Sequence, residues 1–183
     1  MNSYRVRPAT AADAEAICRI YNQGIDDRVA TLETELRAPD ERRQWLQSRS
    51  PRHPVIVAEL TEPGRSSCQA THEVSGLAAP VTVVGWGSLN VFNPREAYRH
   101  VADFSVYVER AHRGKGAGTV LLTRLIELGR EHGFHKLVLS AFPSNTGGMA
   151  LYSKLGFRTV GVYKEQGLLD SQWVDTIIME KIL

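Results

Sequence analysis

The chain has 183 residues, 43% of them hydrophobic and 23% charged, and 22 Lys plus Arg against 20 Asp plus Glu leave a formal charge of +2. That length lies within the ~100–200 residues one core usually fills and predicts a single domain over 1–183, while the near-neutral balance excludes the strongly basic face of a nucleic-acid binder. Apolar runs such as Val55 to Ala58 and Val81 to Val84 fall far short of the ~20 residues of a membrane span. With Cys18 and Cys68 the only cysteines, transmembrane, secreted and collagen-like classes are excluded and a cytoplasmic protein is expected.

Tyr4 to Pro8 reads as a short strand ended by proline. Thr10 or Asp13 then caps a helix whose apolar positions are Ala14, Ile17, Cys18, Ile20 and Tyr21, with Gly24 closing it. A second helix starts near Pro39, since proline suits a first helical turn, and turns Trp45 and Leu46 inward. Val55 to Ala58 and Val81 to Trp86 are β-branched runs of strand length; the polar stretch between them, around 61–76, reads as a loop or hairpin insertion.

Phe104 to Val108 alternates in the strand manner and is followed by a glycine-rich segment, Arg113-Gly114-Lys115-Gly116-Ala117-Gly118, and then by a helix with Leu121, Leu122, Leu125 and Ile126 on one face, ending near Gly133. Leu137 to Phe142 is a buried strand, Ser144-Asn145 opens a short helix running to Leu155, and Phe157 to Tyr163 and Trp173 to Met179 are the last strands. About seven strands and four helices, strands first and alternation later, predict an α/β (α+β) chain with a mixed sheet covered by helices.

The glycine segment carries the chemistry. A strand that breaks into Arg113 to Gly118 and becomes a helix leaves several amides unpaired at the positive end of a helix dipole, which is a site for an anion. Six basic and three acidic residues between Glu109 and Lys136 give that stretch +3, against −1 for the rest of the chain. A Walker loop is excluded because Lys115 is followed by Gly116 in place of Ser or Thr. A dinucleotide fingerprint fits poorly past mid-chain. His132 and His135 flank a glycine turn without a third ligand, so no metal is expected.

Arg113-x-x-Gly116-x-Gly118 after a Val-Tyr-Val strand, with Asn145 and Leu151-Tyr152-Ser153-Lys154-Leu155-Gly156-Phe157 downstream, resembles the GNAT superfamily of N-acetyltransferases along nearly the whole chain. Ile20-Tyr21-Asn22, Ala30 to Thr34, His53-Pro54, Ala97 to His100, Ser105 to Val108 and Gly167 through Asp175 resemble its phosphinothricin N-acetyltransferase subfamily. The resemblance implies a mostly antiparallel sheet with strands splayed at an acetyl-CoA site. The pyrophosphate would lie on the amides from Gly114 through Lys115, Gly116, Ala117 and Gly118 to Thr119, beside Arg113 and Asn145. The pantetheine arm would run along Val106, Tyr107 and Val108. A sheet edge opened by diverging strands offers the unpaired amides and carbonyls that such an arm needs.

In that subfamily a Glu two residues before the Ser-Val-Tyr-Val segment is the base; this chain has Asp103 there, shorter by one methylene. Tyr152 holds the superfamily's position for the group that hydrogen-bonds the departing thiolate. The resemblance implies an acceptor such as phosphinothricin, methionine sulfoximine or the arsenic analogue. Arg95, Tyr98 and Arg99 would then bind its anionic end, with Thr31 and Glu33 lining the same pocket. Leu32 stands where the subfamily commonly has Phe. A homodimer is a further expectation from the resemblance. Two alternatives stay open, a protein or peptide N-acetyltransferase and a non-catalytic acyl-CoA sensor.

Overall fold

Seven strands form one sheet in the order β1-β2-β3-β4-β5-β7-β6 in the computed structural model, which describes residues 3–61 and 82–183. In chain order the elements are β1 (Ser3–Pro8), α1 (Ala14–Asp26), α2 (Pro39–Gln47), β2 (Val55–Thr61), β3 (Val83–Val91), β4 (Val101–Val108), α3 (Ala117–Glu131), β5 (Lys136–Ala141), α4 (Thr146–Lys154), β6 (Arg158–Leu169) and β7 (Gln172–Ile182). The mixed sheet and four helices match the expectation from the sequence pattern, and the mostly antiparallel pairing matches what the family resemblance implies. The insertion expected around 61–76 lies, from residue 62 on, outside the described residues, as do Cys68 and Val81.

Strand alternation sorts side chains to two faces. On one, Ala102 and Phe104 of β4, Leu137 and Leu139 of β5 and Met179 of β7 pack with Leu121, Leu122 and Leu125 of α3. Each of those three leucines is fully buried, a contribution of about 1.5–3 kcal/mol apiece before cavity terms. On the other face, Val55, Val57, Trp86 and Tyr107 pack with Ile17, Ile20, Tyr21 and Ile25 of α1 and with Trp45 and Leu46 of α2.

One boundary departs from expectation for a packing reason. Gly24 does not close α1, which continues to Asp26. Gly24 is buried within the helix, and a Cβ there would come 3.1 Å from Cε1 of Tyr107. The glycine lets the helix approach an aromatic ring, at the conformational-entropy cost that a mid-helix glycine carries.

The opening in the sheet follows from register. The β4–β5 pair is the parallel one, and it has three rungs, the last Asp103↔Val138. Beyond it β4 stays on β3 up to Gly85↔Val108, while β5 stays on β7 up to Ala141↔Ile177. From Phe104 and Leu139 onward the two strands part, and their facing backbone groups have no partners across the gap.

Candidate active site

Along the part of β4 that has left β5 runs a cleft of about 590 Å³. Val106, Tyr107 and Val108 of β4 line it, with Arg113, Gly114, Gly116, Gly118 and Thr119 from the glycine loop and first turn of α3, and Asn145, Gly147, Gly148, Leu151 and Tyr152 around α4. Two helix N-termini therefore border one cavity. The first-turn amides of each lack intrahelical partners, and both dipoles present their positive ends.

The loop owes its shape to Gly116, which takes φ +98° as the N-cap of α3, with Gly114 at φ +72° before it. A side chain would be strained at both. A Cβ on Gly114 or on Gly147 would meet nothing within 4 Å, so the backbone there faces open space. Upstream, Arg113 donates through Nε to the Val108 carbonyl (3.1 Å) and through Nη1 to Asp27 (2.6 Å), and Arg110 donates to the same carboxylate. Hydrogen bonds from Arg110 and Arg113 hold Asp27 below the usual carboxylate range. Arg113 is thus oriented toward the cleft by an acid from the end of α1. Lys115 and the buried Ala117 do not line the cleft. The Asn145 side chain accepts from the Gly148 amide (2.9 Å) and caps α4. An anionic, amide-bearing ligand such as acetyl-CoA fits this cradle of open backbone, two helix ends and an arginine.

Asp103 sits on the last parallel rung, where the sheet opens. Burial pushes its carboxyl up to about 6, against a counter-acting hydrogen bond from the Phe104 amide. Tyr152 reaches the same place from α4, with its ring packed edge-on to Phe104 (5.9 Å). Burial, and then the charge of Asp103, push its hydroxyl up to about 12. At neutral pH the pair is a carboxylate with unusual affinity for a proton beside a firmly protonated phenol.

Tyr107 stacks on Trp86 (centroids 4.9 Å apart, planes 19°) and meets Tyr21 edge-on at 4.9 Å. Burial lifts its hydroxyl well above the ordinary value, and it hydrogen-bonds Tyr21, whose hydroxyl in turn reaches Thr31 and Glu33. Burial raises the Glu33 carboxyl, but hydrogen bonds from Arg37 (2.8 Å) and Tyr21 outweigh it and leave it below the usual range. Thr31 and Glu33 are therefore tied to the cleft through Tyr21, a residue that the sequence pattern marks only as core.

Thr31 also lines a smaller cavity of about 170 Å³, with Ala30, Leu32, Ser140, Ala141, Phe142 and Thr176. Ser140 and Thr176 escape a reading of the sequence because they come from different strands and meet only through sheet register. Neither Asp103 nor Glu33 is in the wall of either cavity, and the same holds for Arg95, Tyr98 and Arg99. They flank or belong to an exposed 3-10 turn at Glu96–Tyr98, where Arg99 pairs with Glu96 (3.1 Å) and Tyr98 packs on Phe92. Among the described residues, no group of three or more His, Cys, Asp and Glu could hold a metal, and no helix is long and apolar enough to cross a membrane.

The acetyltransferase (GNAT) family model matches residues 31–157. The chain is 30% identical over 176 residues to an L-methionine sulfoximine/L-methionine sulfone acetyltransferase of Salmonella typhimurium, covering 96% of this chain and 92% of that protein. A phosphinothricin acetyltransferase of Sinorhizobium meliloti, solved in complex with acetyl-CoA, superposes with a TM-score of 0.83 at 28% identity, covering 98% of this chain and 88% of the other. A ribosomal-protein-alanine N-acetyltransferase of Brucella melitensis gives 0.82 at 34% identity, with 98% and 99% covered. With the opened sheet, the glycine cradle and these likenesses, the chain belongs to the GNAT acetyltransferase family, as an acyltransferase whose acetyl donor is acetyl-CoA.

Proposed function

We propose that the chain acetylates the amino group of a small amino-acid-like substrate, with Asp103 as base and Tyr152 as the donor to the departing sulfur. The observation that supports this reading is that Asp103 stands on the last rung before β4 and β5 part and its charge is felt by the Tyr152 hydroxyl. The relatives named for methionine sulfoximine and phosphinothricin support the acceptor class.

Acetyl-CoA supplies an activated acetyl thioester, and the residues around Gly114 to Thr119, with Arg113 and Asn145, hold its anionic portion. Asp103 removes the proton that an ammonium must lose before its nitrogen can form the C–N bond. A carboxylate that titrates at about 6 is ionised at neutral pH yet basic enough to accept it. As the C–S bond breaks, Tyr152 gives a hydrogen bond and then a proton to sulfur. Because an aspartate is one methylene short of a glutamate, the proton reaches Asp103 through an intervening water.

A second reading, acetylation of a peptide N-terminus, is favoured by the likeness to the ribosomal-protein-alanine enzyme. A thiol-release assay over amino acids, their sulfone, sulfoximine and phosphinate analogues and N-terminal peptides separates the two. Faster turnover of the amino acids is expected, and faster turnover of peptides would overturn the proposal.

A further inference from the structure

The smaller cavity has a feature that packing does not explain. Thr176 is 3% exposed, and its hydroxyl has no hydrogen-bond partner among the described residues, although buried polar groups are nearly always paired. It stands in the wall of the 170 Å³ cavity. The hydroxyl-bearing part of that wall is completed by Ser140 and Thr31, the apolar part by Ala30, Leu32, Ala141 and Phe142, and among the described residues no charged side chain lines it.

Sheet register puts this cavity beside the base. Asp103 pairs with Val138, and Ser140 follows Val138 by one full pleat, on the same face. The β5–β7 pairing ends at Ala141↔Ile177, so Thr176 lies just past its last rung. Ile177 and Met179 pack into the core beneath α3, so Thr176 points to the opposite face, the one that carries Asp103. The two cavities share Ala30 in their walls. Ser140 and Thr176 therefore share with Asp103 the sheet face on which an amine beside that carboxylate would lie.

We propose that the smaller cavity takes the acceptor's side chain, and that the Thr176 and Ser140 hydroxyls select a neutral tail ending in a hydrogen-bond-accepting oxygen, of the sulfone or sulfoxide class. The proposal rests on the small-amino-acid reading above and narrows it. Apolar walls accept methylenes and a methyl group. The unpaired hydroxyl gains a partner only from a tail with a lone pair at the right depth. A phosphinate or carboxylate would enter without a compensating cation, since Arg95 and Arg99 lie outside this wall and burying an unpaired charge is costly. A purely apolar tail such as that of norleucine fills the space and leaves the hydroxyl unpaired.

The test uses the full chain with acetyl-CoA and compares kcat/KM for methionine sulfone, norleucine and phosphinothricin in the parent, Thr176→Val, Thr176→Ser and Ser140→Ala proteins. Calorimetric titration of methionine sulfone in the presence of coenzyme A and thermal unfolding accompany it. The parent should prefer the sulfone. Thr176→Val should lower the sulfone-to-norleucine ratio about 3–10-fold, the value of one hydrogen bond, and weaken sulfone binding by a similar factor. Its melting temperature should not fall, because no hydrogen bond is lost. Thr176→Ser should keep the preference, and Ser140→Ala should lower it even if the valine variant fails to fold. Sulfone turnover with an unchanged ratio in both Thr176→Val and Ser140→Ala, or a parental preference for phosphinothricin, would overturn this inference and leave the amino-acid reading standing. Turnover of peptides with none of the amino acids would overturn both.

Discussion

Asp103 on β4 lies near enough to Tyr152 on α4 for its charge to be felt there: the Asp103 carboxylate is one of the two causes that push the Tyr152 hydroxyl up to about 12. If Asp103 is the base, Asp103→Asn should lower turnover by roughly the 10²–10⁴-fold typical of general acid–base catalysis, with acetyl-CoA affinity nearly unchanged. The same change should stabilise the fold at pH 7 and above, because an ionised carboxylate is costly where it is buried. Lifting it from 3.8 to about 6 corresponds to at most about 3 kcal/mol. Activity lost together with stability would mark Asp103 as a structural residue instead.

The pH dependence follows with a definite sign. Catalysis needs the ionised carboxylate, so kcat/KM should rise with pH and level off above about 6. Stability should run the other way in the same window. Between about 4 and 6 the folded chain keeps a proton on Asp103 that the unfolded chain has released, so this group's contribution falls as pH rises and is flat above the folded value. Comparing urea midpoints of the parent and Asp103→Asn from pH 4 to 8 isolates the term. A difference between them that does not change with pH would exclude a raised Asp103.

Tyr152→Phe keeps the ring contacts with Phe104 and Phe157 and removes only the hydroxyl. Turnover should fall about 10–10³-fold with weakly reactive amines affected most, while unfolding stays within about 1 kcal/mol of the parent. Equal loss for every acceptor, strong or weak, would argue against proton donation to sulfur.

The coenzyme loop gives a test free of acceptor chemistry. At Gly116 an added Cβ has only an ordinary contact, 3.8 Å from Tyr4, but the φ of +98° disfavours any side chain. Gly116→Ala should therefore cost about 1–2 kcal/mol of stability. Gly116→Asp should cost a similar amount and additionally weaken acetyl-CoA binding by at least tenfold, since it sets a negative charge at the helix N-terminus. Calorimetry that finds equal coenzyme affinity in the two folded variants would move the anion site elsewhere.

What the sequence reveals and what it hides divides along physical lines. The loop from Arg113 to Gly118 and the helix after it are legible because local chemistry dictates them: glycines where φ must be positive, a leucine stripe where a face is buried. β6 is harder to delimit. Most of its residues are exposed, so no alternation marks its continuation to Leu169. Arg95 and Arg99 present the reverse situation. They lie close to Asp103 along the chain, but a 3-10 turn intervenes and β4 starts at Val101, so sequence nearness does not become nearness in the cleft. Thr176 is invisible for the complementary reason: its relation to Asp103 passes through two strand pairings.

The last prediction concerns the rim of the smaller cavity, where Leu32 lies directly on the backbone of β6. A Cβ on Gly167 would come 2.4 Å from Leu32 Cδ2, so Gly167→Ala must displace that side chain. Gly167 lies beside a shift in the β6–β7 register and outside the positive-φ region, so alanine suits its backbone. Leu32 is 40% exposed and can swing outward, which keeps the stability cost within about 1 kcal/mol. The acceptor KM should nevertheless change about 3–10-fold, because Leu32 forms part of the cavity wall, while coenzyme affinity should not change, since neither residue lines the larger cleft. In a Leu32→Ala background the clash has no partner, so adding Gly167→Ala should have little further effect on the acceptor KM. Strongly non-additive KM values across this cycle are the expected result. Additive ones would mean that Gly167 acts on the acceptor by some route other than Leu32.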